Sequence, residues 1–117
     1  MRAVFAVIVY LAGAPGALAA DVENGKVLYQ ACAACHTEKP DAMGPSLKSV
    51  VGRKAATLED FHYSNPMKRA NLVWDEVNLR AYIVDPQGKV KGNRMPFGGL
   101  RYTKDVDDVI AFLKTFK

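Results

Sequence analysis

Apolar positions recur at helical intervals near the start of the chain. The stretch from Asp21 to Ala34 carries small and apolar residues on two adjoining helical faces: Val22, Gly25, Leu28, Tyr29 and Cys32. Asp21 is the expected N-cap, and Glu23 lies in the first turn, where a negative charge is favourable. The pattern predicts an amphipathic helix over this stretch.

The C-terminal segment has the clearest helical stripe. Its apolar residues stand at i, i+3, i+4 and i+7: Val106, Val109, Ile110 and Leu113. Thr103 is the expected cap, with aspartates near the positive end of the helix and Lys114 near its negative end. We expect one face of this helix to be buried.

Between these two helices, the pattern predicts two shorter ones. Asp75 to Asp85 places Leu79, Tyr82 and Ile83 on one face, and Pro86 disfavours helical backbone at Asp85. Thr57-Leu58-Glu59-Asp60 resembles a capping box, which predicts a short helix directly after it. No pair of segments shows convincing strand periodicity, so the sequence predicts an all-α domain.

The first nineteen residues have the pattern of a secretory signal peptide. Arg2 precedes an apolar run, and Ala17-Leu18-Ala19 matches a small-x-small cleavage site. We expect one domain over residues 20–117, beginning at Ala20 or Asp21 after cleavage. An uncleaved membrane anchor is the alternative, although Gly13, Pro15 and Gly16 would break a spanning helix.

Composition narrows the function classes. The chain has 117 residues, with 50% hydrophobic and 24% charged, which fits one small globular domain. Its formal net charge of +4 can steer the approach of a charged partner, but it is smaller than is typical of the basic surfaces that bind nucleic acids. We therefore expect no nucleic-acid partner. Two cysteines are too few for a disulfide scaffold.

The strongest chemical signal is Cys32-Ala33-Ala34-Cys35-His36. This C-x-x-C-H pattern is typical of covalent attachment of a c-type haem. Two thiols at this spacing can reach the two vinyl groups on one side of a porphyrin, and the next residue holds its imidazole under the iron.

Three other interpretations compete with haem attachment. A thioredoxin-like redox pair needs a βαβ context, and no strand-like run precedes Cys32. A structural zinc site would have to recruit His62 at a spacing that matches no common zinc module. A plain disulfide would leave His36 without a role.

Several motifs occur in an order that resembles a known family over the whole expected mature chain. They are Gly25 with Tyr29, the haem motif, Gly44-Pro45-Ser46-Leu47, Gly52-Arg53-Lys54, Tyr63, Trp74, Leu79 with Tyr82, Pro86, Gly92-Asn93-Arg94-Met95-Pro96-Phe97, and Ile110-Ala111-Phe112-Leu113-Lys114. From Asp21 to Lys117 the sequence resembles a class I cytochrome c of the bacterial periplasmic, c2-like and mitochondrial-like type. The resemblance implies the small cytochrome c fold, in which three to five helices pack around one covalent haem and the first and last helices cross.

The resemblance also implies how the iron is held. His36 is the expected proximal ligand and Met95 the distal one. Of the other methionines, Met43 lies too near His36 to pass easily round the porphyrin, and Met67 stands at a workable distance but in no supporting motif. With both axial positions filled, the iron would carry electrons and leave no site for a substrate.

The remaining expected site residues follow from the same resemblance. Pro45 would accept a hydrogen bond from His36 through its carbonyl, and Gly25 and Phe112 would meet where the two terminal helices cross. Five further residues are expected to line the haem: Arg53, Tyr63 and Trp74 at the propionates, Tyr82 beside the methionine ligand, and Phe97 near the exposed edge.

Charge suggests how partners are met. Basic residues fall on segments that flank the exposed haem edge in this family: Lys26, Lys89, Lys91, Arg94, Arg101 and Lys104. Three aspartates cluster on the last helix: Asp105, Asp107 and Asp108. Such a dipole can orient a charged encounter. The family often has lysines after the proline that ends the third helix, whereas this chain has Gln87 and Gly88.

The leading interpretation is a soluble, monomeric one-electron carrier in the periplasm, with no stable membrane insertion after cleavage. It would pass electrons from a quinol-oxidising complex to an oxidase, a reductase or a photosynthetic centre. A haem enzyme with a labile Met95 is the alternative, and a tethered carrier would share the same chemistry.

Overall fold

The computed structural model describes residues 6–9 and 19–117, and most of the expected signal peptide lies outside these ranges. The first helix, α1, spans Val22–Ala33. As predicted, Asp21 is its N-cap: a carboxylate oxygen accepts a hydrogen bond from the Asn24 backbone N–H at 3.1 Å. The cap satisfies one of the orphan donors at the helix start.

Four more helices follow along the chain. They are α2 (Asn65–Arg69), α3 (Glu76–Val84), α4 (Pro86–Lys89) and α5 (Thr103–Thr115). Within the described residues the extended backbone makes one isolated bridge, between Lys54 and Val73. The predicted all-α class with three to five helices is confirmed.

Two predicted helix starts are wrong. No helix begins at Thr57, whose hydroxyl donates instead to the Lys54 carbonyl at 2.7 Å. The short helix α2 begins eight residues later, because Ser64 caps it by accepting from the Met67 N–H at 3.3 Å and a proline occupies its first turn. Thr103 is the first residue of α5 rather than its cap, and Tyr102 takes the cap position without a side-chain bond.

The two terminal helices cross in close contact, as predicted. A Cβ added at Gly25 would lie 1.9 Å from the Asp108 carbonyl oxygen and 3.0 Å from the Phe112 Cβ. Only a residue without a side chain allows this approach. Tyr29 then packs against Phe112, with ring centroids 4.9 Å apart.

A buried carboxylate ties this crossing together. Asp108, 1% exposed, accepts hydrogen bonds from the Asp21 backbone N–H, the Asn24 amide and the Lys104 ammonium, at 2.7, 2.7 and 2.6 Å. These bonds to the charged form lower the pKa of Asp108 to about 2. The start of α1 is therefore held to α5 at its polar end as well as by apolar packing.

The predicted stripe of α5 lies in the core. Its four residues, Val106, Val109, Ile110 and Leu113, are each between 1% and 4% exposed. Full burial of such a side chain contributes about 1.5–3 kcal/mol. On α3, Leu79 and Tyr82 are buried as predicted, and Ile83 is half-buried. Among residues 6–9 and 19–117, no helix has the length and apolar character to cross a membrane.

Candidate functional site: an apolar cavity between the helices

A cavity of about 520 Å³ lies between the helices and the loops that join them. It is within the range of about 300–1,000 Å³ that is typical of small-molecule and cofactor sites. All ten site residues expected from the sequence border it: Cys32, Cys35, His36, Pro45, Arg53, Tyr63, Trp74, Tyr82, Met95 and Phe97.

The end of α1 brings the C-x-x-C-H motif to this cavity. The Cys35 and His36 N–H groups both bond to the Cys32 carbonyl, at 3.1 and 3.0 Å, so the chain turns tightly after the helix. Both cysteines are free thiols and half-buried. Burial raises the pKa of Cys32 above its ordinary value. The turn therefore places two thiols and an imidazole on one wall.

His36 is fixed by the loop that follows it. Its Nδ1 lies 2.6 Å from the Pro45 carbonyl oxygen, as the family resemblance implies. A carbonyl only accepts, so Nδ1 carries the proton and Nε2 keeps its lone pair. Burial lowers the pKa of His36, which favours the neutral ring that a metal requires.

Gly44 makes this arrangement possible. A Cβ at this position would lie 2.5 Å from the His36 Cε1 atom, closer than real Cβ contacts allow. The Gly44 N–H also donates to the Cys35 carbonyl at 3.0 Å, which closes the loop around the ring. The glycine of the Gly-Pro pair thus leaves room for the imidazole, and the proline carbonyl orients it.

Three methionines border the cavity. Met95 is half-buried, and its backbone N–H donates to the Asn93 side-chain oxygen at 2.8 Å. Met67 is half-buried on α2, and Met43 is 67% exposed. The cavity therefore offers more than one thioether.

Polar groups stand around the same space. Arg53 donates to the Ser46 and Lys48 carbonyls at 2.7 and 3.1 Å, which uses two of its five N–H donors. Burial lowers the pKa of Arg53, although a guanidinium stays charged in proteins. The Tyr63 hydroxyl accepts from the Leu58 N–H at 3.3 Å.

Aromatic side chains complete the wall. Trp74 and Tyr82 are 8% and 9% exposed, and their ring centroids lie 5.0 Å apart. Burial raises the pKa of Tyr82 to about 12, so its phenol is protonated at neutral pH. Phe97 is half-buried at the border of the cavity.

The structure does not support the zinc alternative for the motif. In the described part of the chain, no group of three or more His, Cys, Asp and Glu side chains is placed to hold a metal ion, which leaves a structural zinc site without a ligand set. His62 is exposed. A cavity of this size, two free thiols, a neutral imidazole and nearby thioethers fit a covalent haem.

Two residues that shape the site, Tyr29 and Asn93, stand in the sequence motifs but had no expected role there. Tyr29 also borders the cavity, and burial raises its pKa to about 12. Asn93 is buried beside Met95 and holds that segment through its side-chain amide. The sequence around Asn93, between a glycine and an arginine, does not indicate burial, because its hydrogen-bond partners are the backbone carbonyls of Pro86 and Val90 in the preceding turn.

The expected charge pattern needs a correction. The six basic residues are all exposed, as a docking face requires. The expected acidic cluster on α5 is not a surface cluster, because Asp108 is buried and Asp107 pairs with Arg80 at 2.5 Å. Lys104 is bound to Asp108, so its charge is also partly neutralised.

Comparisons with known proteins agree with this geometry. The family model for cytochrome c matches residues 22–117. The chain is 43% identical over 102 residues to cytochrome c2 of Rhodoblastus acidophilus, covering 85% of this chain and 95% of the relative. It is 38% identical over 99 residues to cytochrome c2 of Rhodoplanes tepidamans, covering 82% and 92%.

A solved structure gives the same result. Cytochrome cH from Methylobacterium extorquens superposes with a TM-score of 0.77 at 40% identity, covering 81% of this chain and 98% of that one. The chain therefore belongs to the cytochrome c family, as a class I member similar to the cytochromes c2, and it is an electron carrier with one covalently attached haem c rather than an enzyme.

Proposed function

We propose that this protein is a soluble one-electron carrier of the periplasm whose haem iron is bound by His36 and Met95. Thioether bonds from Cys32 and Cys35 would attach the haem. The contact between the His36 Nδ1 and the Pro45 carbonyl carries the proposal, because it prepares Nε2 as a ligand at the wall where the thiols stand.

Met95 is the favoured second ligand. Its backbone is held by Asn93, its side chain is half-buried at the cavity, and it follows a turn that presents it there. Met67 shares the cavity, but it lies in the five-residue helix α2, where its backbone N–H donates to the Ser64 cap. Its backbone is therefore held in a helix and not in a loop. Two protein ligands would leave no open coordination position for a substrate.

When bound, haem supplies an iron that changes its oxidation state by one electron, and methionine ligation raises its reduction potential relative to two imidazoles. The chain's own residues bind, orient and shield that group. Trp74, Tyr82 and Phe97 supply the apolar wall, and the N–H donors of Arg53 that the loop leaves unused would be available to a propionate. Buried propionates require such donors.

The proposed location follows from the first nineteen residues. The charged start, the apolar run and Ala17-Leu18-Ala19 support export and cleavage. Intact mass of protein produced in a haem-attaching bacterial host tests this: loss of residues 1–19 or 1–20 with gain of one haem supports the proposal. Retention of the N-terminal segment supports a tethered carrier instead.

The proposed partners are membrane redox complexes: a quinol-oxidising complex as donor, and an oxidase, reductase or photosynthetic centre as acceptor. The exposed basic residues support docking to an acidic surface. A monomeric carrier that binds two partners in turn must dissociate quickly from each of them. Electrostatic steering speeds its association with each partner.

Carbon monoxide binding to two variants tests the ligand assignment. In Met95→Ala we expect covalent haem with ferrous iron that binds carbon monoxide at neutral pH. Met67→Ala is the matched control, because it removes a half-buried thioether from the same cavity, and we expect it to exclude carbon monoxide as the wild type does. The reverse pattern would assign the iron to Met67.

A further inference from the structure

Gln87 makes an unusual pair of contacts for an exposed side chain. It lies in α4, and its amide spans the turn that leads to Met95. Its Nε2 donates to the Asn93 carbonyl at 2.9 Å, and its Oε1 accepts from the Gly92 N–H at 3.0 Å. One side chain thus bonds to two consecutive residues of the same turn.

Asn93 continues this connection inward. Its side chain is buried, and its Nδ2 donates to the Pro86 and Val90 carbonyls, each at 2.9 Å. Its Oδ1 accepts from the Met95 N–H at 2.8 Å. A chain of hydrogen bonds therefore runs from Gln87 through Asn93 to the backbone of Met95.

The turn contains a glycine in a backbone conformation that other residues rarely adopt. Gly92 has φ +87°, which a glycine adopts easily and also leaves easily. The Asn93 N–H bonds to the Val90 carbonyl at 3.1 Å, and the Arg94 side chain donates to the His62 carbonyl. The bonds of Gln87 and of the Asn93 side chain add to these two restraints.

We propose that Gln87 is a positioning residue for the Met95 ligand: its amide clamps the Gly92–Asn93 turn and so slows the release of Met95 from the iron. This rests on the proposed ligation by Met95. The clamp acts through the backbone, since Gln87 does not itself border the cavity.

The test is the rate at which imidazole binds to the ferric haem protein. Imidazole can bind only after Met95 leaves, so the rate at saturating imidazole reports methionine release. Loss of two neutral hydrogen bonds, one exposed and one partly buried, corresponds to about a tenfold effect. We expect Gln87→Ala to raise this rate about tenfold and to weaken the far-red band of methionine-bound ferric haem.

Two further variants separate a clamp from a general loss of stability. Gln30→Ala is the matched control, because it removes the same side chain from an exposed position on α1 where it makes no hydrogen bond to another described residue. Gln87→Glu keeps an acceptor for the Gly92 N–H but has no donor for the Asn93 carbonyl. We expect Gln30→Ala to match the wild type and Gln87→Glu to resemble Gln87→Ala. In guanidinium, the unfolding equilibrium of the two Gln87 variants should shift by no more than about tenfold, because no more than these two hydrogen bonds are lost.

The outcomes are distinguishable. If the wild type shows the far-red band and Gln87→Ala binds imidazole at the wild-type rate, the clamp is refuted while Met95 ligation stands. A rate increase in Gln30→Ala equal to that in Gln87→Ala would also refute it. A wild type without the far-red band, and open to imidazole at once, would overturn both the ligation and the clamp.

Discussion

Replacing Gly25 by alanine tests the crossing of α1 and α5 directly. Two effects oppose each other at this position. Alanine is favoured over glycine by about 1 kcal/mol inside a helix. Against this, the new Cβ would lie 1.9 Å from the Asp108 carbonyl oxygen and 2.6 Å from its carbon.

The geometry decides which effect is larger. Ordinary contact begins at 3.4 Å, so the two backbones would have to separate by about 1.5 Å at this point. The obstacle is backbone, which cannot rotate away as a flexible side chain can. Overpacking typically costs about 1–3 kcal/mol and sometimes more. Separation would also loosen the Tyr29–Phe112 pair, which contributes about 0.5–1.5 kcal/mol. After subtracting the gain in helix propensity, we expect a net loss of about 2 kcal/mol.

Guanidinium unfolding of the haem-loaded protein, followed by circular dichroism, measures this loss. Gly98→Ala is the control, because a Cβ there meets nothing within 4 Å and the backbone needs no positive φ. We expect Gly98→Ala to stay within about 0.5 kcal/mol of the wild type. A Gly25→Ala protein as stable as the wild type, or more stable, would refute the close crossing.

Two other predictions concern the buried carboxylate and the thiols. The pKa of Asp108 is about 2 in the folded protein against an ordinary 3.8, so its contribution to stability is present above about pH 4 and disappears as the pH falls towards 2. The free energy of unfolding, measured between pH 2 and 7, should therefore depend less on acid in Asp108→Asn than in the wild type. Asp105→Asn, on the same helix, is the control and should keep the wild-type profile. Equal profiles for Asp108→Asn and the wild type would contradict this role. Cys32→Ser combined with Cys35→Ser should yield a chain without covalent haem that lacks cooperative unfolding, since the helices would lose the group around which they pack, and a cooperatively melting double variant would count against that dependence.

Local signals explain what the sequence predicts well. The Asp21 cap, the α5 stripe and the C-x-x-C-H motif each depend only on residues close together in the sequence. In the structure, Asp21 caps α1, the stripe is buried and the motif borders the cavity. Helical periodicity is a strong signal because each of these helices has one buried face. The order of the family motifs identified the site residues that lie in loops. Hydrophobic periodicity alone does not identify these residues.

Long-range partners explain what the sequence does not predict. Asp108 and Asp21 are 87 positions apart, and the local sequence does not distinguish the buried Asp108 from Asp105 and Asp107, which are half-buried. Thr57 fails as a helix cap because its hydroxyl bonds backwards to Lys54. Pro86 ends α3 as expected but also begins α4, where Asp85 serves as N-cap.

The most direct test of the whole account is the visible spectrum of the exported wild-type protein, recorded oxidised, then reduced, then under carbon monoxide. The account predicts sharp reduced bands of c-type haem, a weak far-red band in the ferric state, and no change on adding carbon monoxide. Covalent haem that binds carbon monoxide at once would contradict ligation by both His36 and Met95, and a protein without haem would contradict the assignment of Cys32 and Cys35.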